Sequence, residues 1–241
     1  MFVDYKNIRV FYTPELEGGG MDFGQDYIPV VRKMFGKVDR CCEFGAGPGF
    51  IGFSLLAHGL CDSLTLVDIN PAAVKMLRKT VKANHLEGRV RIYLSDGLRK
   101  VNKNEKWDLV VSNPPHFNGA EKRYTQDVRV YDPGWRIHKE FYSKAAKFLS
   151  RDGSILFVEN RLGGGPNIWK KMIAECGLKY QGSFRHRAFG YPPKLSDIKM
   201  FLRGEKGFMK KSSPAEVLLK SAIHASYTFY YPYYFVWSKK H

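Results

Sequence analysis

From Val38 to Asn160 the chain changes hydrophobic period repeatedly, and that alternation limits it to very few folds. VDRCCEF (38–44), SLTLVD (63–68), RVRIYLSD (89–96), KWDLVVS (106–112) and SILFVEN (154–160) are short runs of strand length, apolar or alternating, several rich in β-branched residues. Stretches of helical spacing lie between them. One covers 49–58 and closes at Gly59; a second, 71–85, carries an apolar face of Ala73, Leu77 and Val81; a third, 137–150, ends before Asp152–Gly153. Asn70 followed by Pro71 supplies an N-cap and a proline at the first helical position. Repeated strand–helix–strand units imply a parallel sheet with helices on both faces and right-handed crossovers. After residue 160 the chain reads as a helix (166–177), a strand (178–184), a helix (213–227) and a final strand (233–240). The stretch 185–212 is basic, rich in Gly and Pro, and reads as an insertion over one sheet edge.

At 241 residues the chain is long enough for one sizeable domain. It divides into an N-terminal cover (1–37), a core (38–160) and a basic C-terminal part (161–241). No apolar run nears the roughly 18 residues of a membrane helix, and the N-terminal residues lack a basic segment followed by an apolar block. The expectation is a cytoplasmic protein without a membrane partner. Cysteines stand at 41, 42, 61 and 176, with no CxxC pair. Neighbours in a strand point to opposite faces, so Cys41 and Cys42 read as buried reduced thiols and no metal site is expected. The net charge is +16, and residues 161–241 hold fifteen Lys and Arg against four Asp and Glu. That excess suggests a polyanionic partner, RNA first among them. The aromatic run 229–237 reads as sheet core rather than as a base-stacking surface.

EFGAGPGF (43–50) places Gly45, Gly47 and Gly49, with Ala46 among them, between the first core strand and its helix. Glycines there let a backbone approach a ligand closely. Glu43 would repel a pyrophosphate and attract a cation. Asp68, followed by Ile69, ends the second strand at the position where an acid accepts ribose hydroxyls. Ser95, Asp96 and Gly97 end the third and could meet an adenine edge. An adenosine that carries positive charge and no phosphate satisfies all of these, which describes S-adenosylmethionine.

In the order EFGAGPG, LVDIN, LSDG and VVSNPPHF, these motifs resemble the Rossmann-like class I methyltransferases. NPPH (113–116) is similar to the (D/N)PP(Y/F/W) signature of the amino-methylating branch. The resemblance covers roughly residues 38–160. It implies an α/β fold: a doubly wound, mostly parallel seven-stranded sheet with helices on both faces, an antiparallel last strand and a basic C-terminal insertion. It also implies S-adenosylmethionine as cofactor, held by Glu43, Gly45, Ala46, Gly47, Gly49, Asp68, Ile69, Ser95, Asp96, Gly97 and Asn113. The catalytic group would be Asn113, Pro114, Pro115 and His116. In the family the Asn side-chain oxygen and the first proline's carbonyl each take one N–H of a flat amine, which localises its lone pair. His116 replaces an aromatic that stacks on the acceptor, and Phe117 could take over that contact. Relatives often cover the cofactor with the region before the first core strand, here Gly18, Gly19 and Gly20, with Phe23, Gly24 or Gln25 lining the site; a mere connecting loop is the equal alternative. Residues 118–136 read as an acceptor-binding loop, with Trp135 and Arg136 as alternative anchors.

The expected function is methylation of a planar amino or amide nitrogen. The charge points to a base in RNA, at adenine N6 or guanine N2. Protein glutamine-N5 and small-molecule N-methylation are the alternatives, and a small activating protein partner is left open. An inactive binding subunit is disfavoured, because Glu43, Asp68, Asn113 and both prolines are intact.

Overall fold

The computed structural model describes residues 1–17, 20–119, 128–184 and 233–240. The predicted helix 213–227 and the insertion 185–212 lie outside the described residues. Two short strands, β1 (Phe2–Tyr5) and β2 (Ile8–Phe11), form an antiparallel hairpin. Helix α1 (Gly20–Met34) follows, and then β3 (Val38–Phe44), α2 (Phe50–Ala57), β4 (Cys61–Asp68), α3 (Pro71–Ala83), β5 (Val90–Leu94) and β6 (Trp107–Ser112). The chain continues through α4 (Arg136–Ala145), β7 (Leu149–Asn160), α5 (Pro166–Glu175) and β8 (Lys179–Phe184) to β9 (Tyr233–Lys239).

Among the described residues, seven strands form one sheet in the order β5–β4–β3–β6–β7–β9–β8. The pairs among β5, β4, β3, β6 and β7 are parallel, and β9 runs antiparallel to both neighbours. The order reverses between β3 and β6, so the carboxyl ends of those two strands open a crevice, the usual ligand position in such sheets.

Each face of the sheet buries its own apolar layer. Helices α1, α2 and α3 and the hairpin cover one, around Phe53, Leu64 and Leu77; α4 and α5 cover the other, around Phe141, Phe157 and Trp169. Cys41 packs in the first layer and Cys42 in the second, as alternation along a strand requires. Tyr234, Phe235 and Val236 are buried in the sheet, so the described part of the aromatic run is core.

Two elements differ from the sequence reading. The glycine-rich segment before β3 is helix α1, whose buried Phe23, Tyr27, Val30 and Val31 follow helical spacing. Gly24 sits inside that helix because a Cβ there would lie 2.5 Å from the Tyr5 hydroxyl and 2.7 Å from the Phe50 carbonyl. The small residue brings α1 directly against α2. In addition, β7 begins at Leu149, not 154, and α4 stops at Ala145. Asp152–Gly153 reads locally as a turn, yet it lies in a register shift between the β6 pairings of Trp107 and Leu109, which absorbs Ser150 to Gly153.

Candidate active site

The chain turns sharply after β3. Gly45 and Gly47 take φ of +61° and +52°, which L side chains rarely adopt. Asp68, at the end of β4, holds this loop. Its Oδ2 accepts the Gly47 N–H at 2.6 Å and its Oδ1 accepts the Asn70 N–H at 2.7 Å. Asn70 in turn caps α3 by accepting the Ala72 N–H. Glu43, buried at the end of β3, accepts the amides of Ile51 and Gly52 in the first turn of α2. Burial pushes its carboxyl up to about 8, against the pull of those two amides. Burial raises Asp68 too, while its backbone hydrogen bonds pull the other way. Both acids therefore shape the loop with oxygens that the sequence reading assigns to ligand.

These elements enclose a cavity of about 230 Å³. Glu43, Gly45, Ala46, Gly47, Asp68, Ile69, Ser95, Asp96, Gly97, Asn113, Pro114 and Pro115 all line it. Ile69, 56% exposed, offers an apolar face at its rim. The Ser95 hydroxyl accepts the Lys100 N–H, and Asp96 pairs with Arg99 at 2.8 Å.

Two expected residues lie elsewhere. Gly49 caps α2, where a Cβ would press on Phe53 and Leu77. The His116 ring turns into the protein, edge-on to Tyr233 with centroids 5.2 Å apart, and its Nδ1 faces Glu159 at 3.9 Å. Phe117 does not line the cavity; it bridges to Tyr131. Among the upstream residues Leu16 and Gly20 reach the wall, whereas Phe23 packs on Tyr233. Gly18 and Gly19 lie outside the described residues. Val128 and Arg129, within the 118–136 stretch that reads as acceptor-binding, also line the wall, as do Ile137 and Glu140 of α4, which no motif marks.

Asn113 is the most informative wall residue. Its Oδ1 is buried and accepts no hydrogen bond among the described residues. Leaving such an acceptor unsatisfied costs about 1–3 kcal/mol, and native folds rarely tolerate it without a reason. The preceding residue is fixed firmly. Ser112 Oγ donates to the Phe44 carbonyl at 2.6 Å, and Tyr27 donates its hydroxyl to the Ser112 carbonyl at 2.7 Å.

Residues 21–184 match the family of the methyltransferase small domain. The chain belongs to this family. Among related proteins, a ribosomal RNA small subunit methyltransferase C from Hahella chejuensis is 34% identical over 178 residues, which is 73% of this chain and 47% of that protein. A release factor glutamine methyltransferase from Clostridium acetobutylicum is 30% identical over 187 residues, 65% of this chain and 66% of that one. The chain thus spans about half the length of the ribosomal RNA methyltransferases it matches. A solved T. thermophilus 16S rRNA N2 methyltransferase, in complex with AdoMet and guanosine, superposes with a TM-score of 0.55 at 15% identity, covering 97% of this chain and 47% of that one. This methyltransferase small domain therefore has the class I S-adenosylmethionine-dependent fold, and its cavity suits that cofactor. Glu43, Asp68 and the open glycine loop line a cavity that fits a cationic ligand without phosphate, and Asn113 Oδ1 stands on the same wall.

Proposed function

We propose that this methyltransferase modifies a planar amino nitrogen of a base in RNA, at guanine N2 or adenine N6. The observation that carries the reading is the unpartnered, buried Oδ1 of Asn113 beside Pro114, on the wall of the cavity that the glycine loop and Asp68 also line. An amine conjugated to a ring is a poor nucleophile. Asn113 Oδ1 and the Pro114 carbonyl can each accept one of its N–H groups. That pins the amine and returns its lone pair to nitrogen, a gain in orientation and in stabilisation of developing positive charge. S-adenosylmethionine, when bound, supplies an electrophilic methyl on a cationic sulfur. The turn needs no N–H at either proline, so Pro114 and Pro115 can hold it stiffly. The net charge of +16 and the names of the ribosomal RNA relatives support RNA as acceptor.

The test is transfer of tritiated methyl from S-adenosylmethionine into fractionated cell extract, with and without ribonuclease. Label that disappears with the nuclease is expected. Label that survives it and migrates with polypeptide overturns the RNA reading in favour of a glutamine amide. Asn113→Ala should lower turnover on the order of 100-fold while calorimetry finds S-adenosylmethionine affinity nearly unchanged; wild-type turnover would remove the role given to Asn113.

A further inference from the structure

Four ionisable side chains lie in one buried row behind the Asn113–Pro115 turn, and none of them lines the cavity. Asp132 Oδ2 accepts from His138 Nδ1 at 2.6 Å. His138 Nε2 donates to Glu159 Oε1 at 3.1 Å. Glu159 Oε2 then faces His116 Nδ1 at 3.9 Å, beyond hydrogen-bond length but close enough for an electrostatic contact, and among the described residues neither atom has a hydrogen-bond partner. An imidazole held between two carboxylates donates from both nitrogens and is a cation. Burial alone would lower His138, but Glu159 and Asp132 outweigh it and bring it to about 9.

The ends of the row belong to the acceptor segment. His116 follows the NPP turn directly. Asp132 closes the return: its N–H donates to the Phe117 carbonyl at 2.8 Å, and the Phe117 N–H donates to the Val130 carbonyl at 3.0 Å. Phe117 is thus tied directly to Val130 and to Asp132. Asp132 also accepts the Ile137 and His138 amides, which fixes it to the start of α4. The backbone of His116 is held from a further side. Gly163 packs so closely on the His116 carbonyl that any Cβ there would collide with it. Tyr142 from α4, Tyr234 from β9 and Tyr27 from α1 also lie within reach of the Glu159 charge; burial, and then that charge, raises all three phenols. Buried ion pairs stabilise a fold poorly compared with apolar packing. The row is better explained by what its two ends hold.

We propose that Glu159 is a positioning residue for the methyl acceptor: braced by His138 and Asp132, it sets His116 and the Asn113–Pro115 turn and holds the clasp between Phe117 and Asp132. This accounts for a histidine where relatives carry a stacking aromatic, since a phenyl ring could not answer Glu159. The enzymatic part rests on the amine-acceptor reading of Asn113; the clasp itself does not.

The test uses Glu159→Gln, which keeps volume and removes charge. Hydrogen exchange at the Phe117 and Asp132 amides should quicken about tenfold, the measure of a loosened clasp. With unmodified 16S rRNA transcript as the methyl acceptor, kcat should fall about 10- to 100-fold, acceptor KM should change less, and S-adenosylmethionine Kd should hold. His116→Phe, a second variant that alters the other partner of the contact, should show the same losses. Combining the two should add little, as for groups acting through one contact. Wild-type exchange in both variants overturns the clasp, whatever the acceptor proves to be. Faster exchange with unchanged kcat overturns the positioning role. Absence of transfer by the wild-type chain to any RNA would count against the acceptor reading and leave the exchange result to decide the clasp.

Discussion

Glu43 is a carboxylic acid that burial holds near pH 8 in a cavity suited to a cation. At pH 7 most of it carries a proton. A positive ligand in the same cavity favours the carboxylate, so binding of S-adenosylmethionine should release a proton. Calorimetric titrations at pH 7 in phosphate and in Tris should then give different heats, and Glu43→Gln should make them equal; equal heats in the unaltered protein would contradict the assignment. The same shift acts on stability. The folded value lies above the ordinary glutamate value of 4.5, so Glu43 does not weaken the fold below pH 4.5 and weakens it progressively as pH rises to about 8. The cofactor, by favouring the ionised form, should flatten that decline.

At the scale of elements, α1 matters through one hydroxyl. Tyr27 is buried and donates toward two carbonyls, Ser112 at 2.7 Å and Leu156 at 2.9 Å, so it staples the helix across the neighbouring strands β6 and β7. Tyr27→Phe keeps the ring and deletes the staple. Chemical denaturation should show a loss of roughly 1–2 kcal/mol; an unchanged midpoint would mean the carbonyls find other donors. The sequence revealed the neighbouring elements far better than it revealed α1. Strand β3 spans the residues its apolar run marked, and α3 starts at Pro71 behind its Asn70 cap. Both signals are local. The role of Gly24 depends on Tyr5 and Phe50, far away in sequence, so a glycine that permits close packing read as a loop. His116 was misleading for the same reason. Its neighbour Glu159 lies at the end of another strand, and its ring faces that strand rather than the cavity. Glu43, Asp68 and Asn113 were legible because each ends a strand at the sheet's carboxyl edge, where ligands of such folds gather.

At the scale of the whole molecule, the sheet joins two apolar layers, and the cavity opens where strand order reverses between β3 and β6. Strand β9 does not follow the parallel scheme: it is antiparallel and lies between β7 and β8, not at the rim. Removing residues 233–241 would therefore not trim the molecule; it would open a slot with a bare backbone edge on either side. Such edges recruit other chains. The shortened chain should sediment as large aggregates in ultracentrifugation, and a soluble monomer would refute that expectation. Residues that come late in the numbering thus behave as a keystone, and a tag or fusion placed there bears on an interior strand of the sheet rather than on its margin.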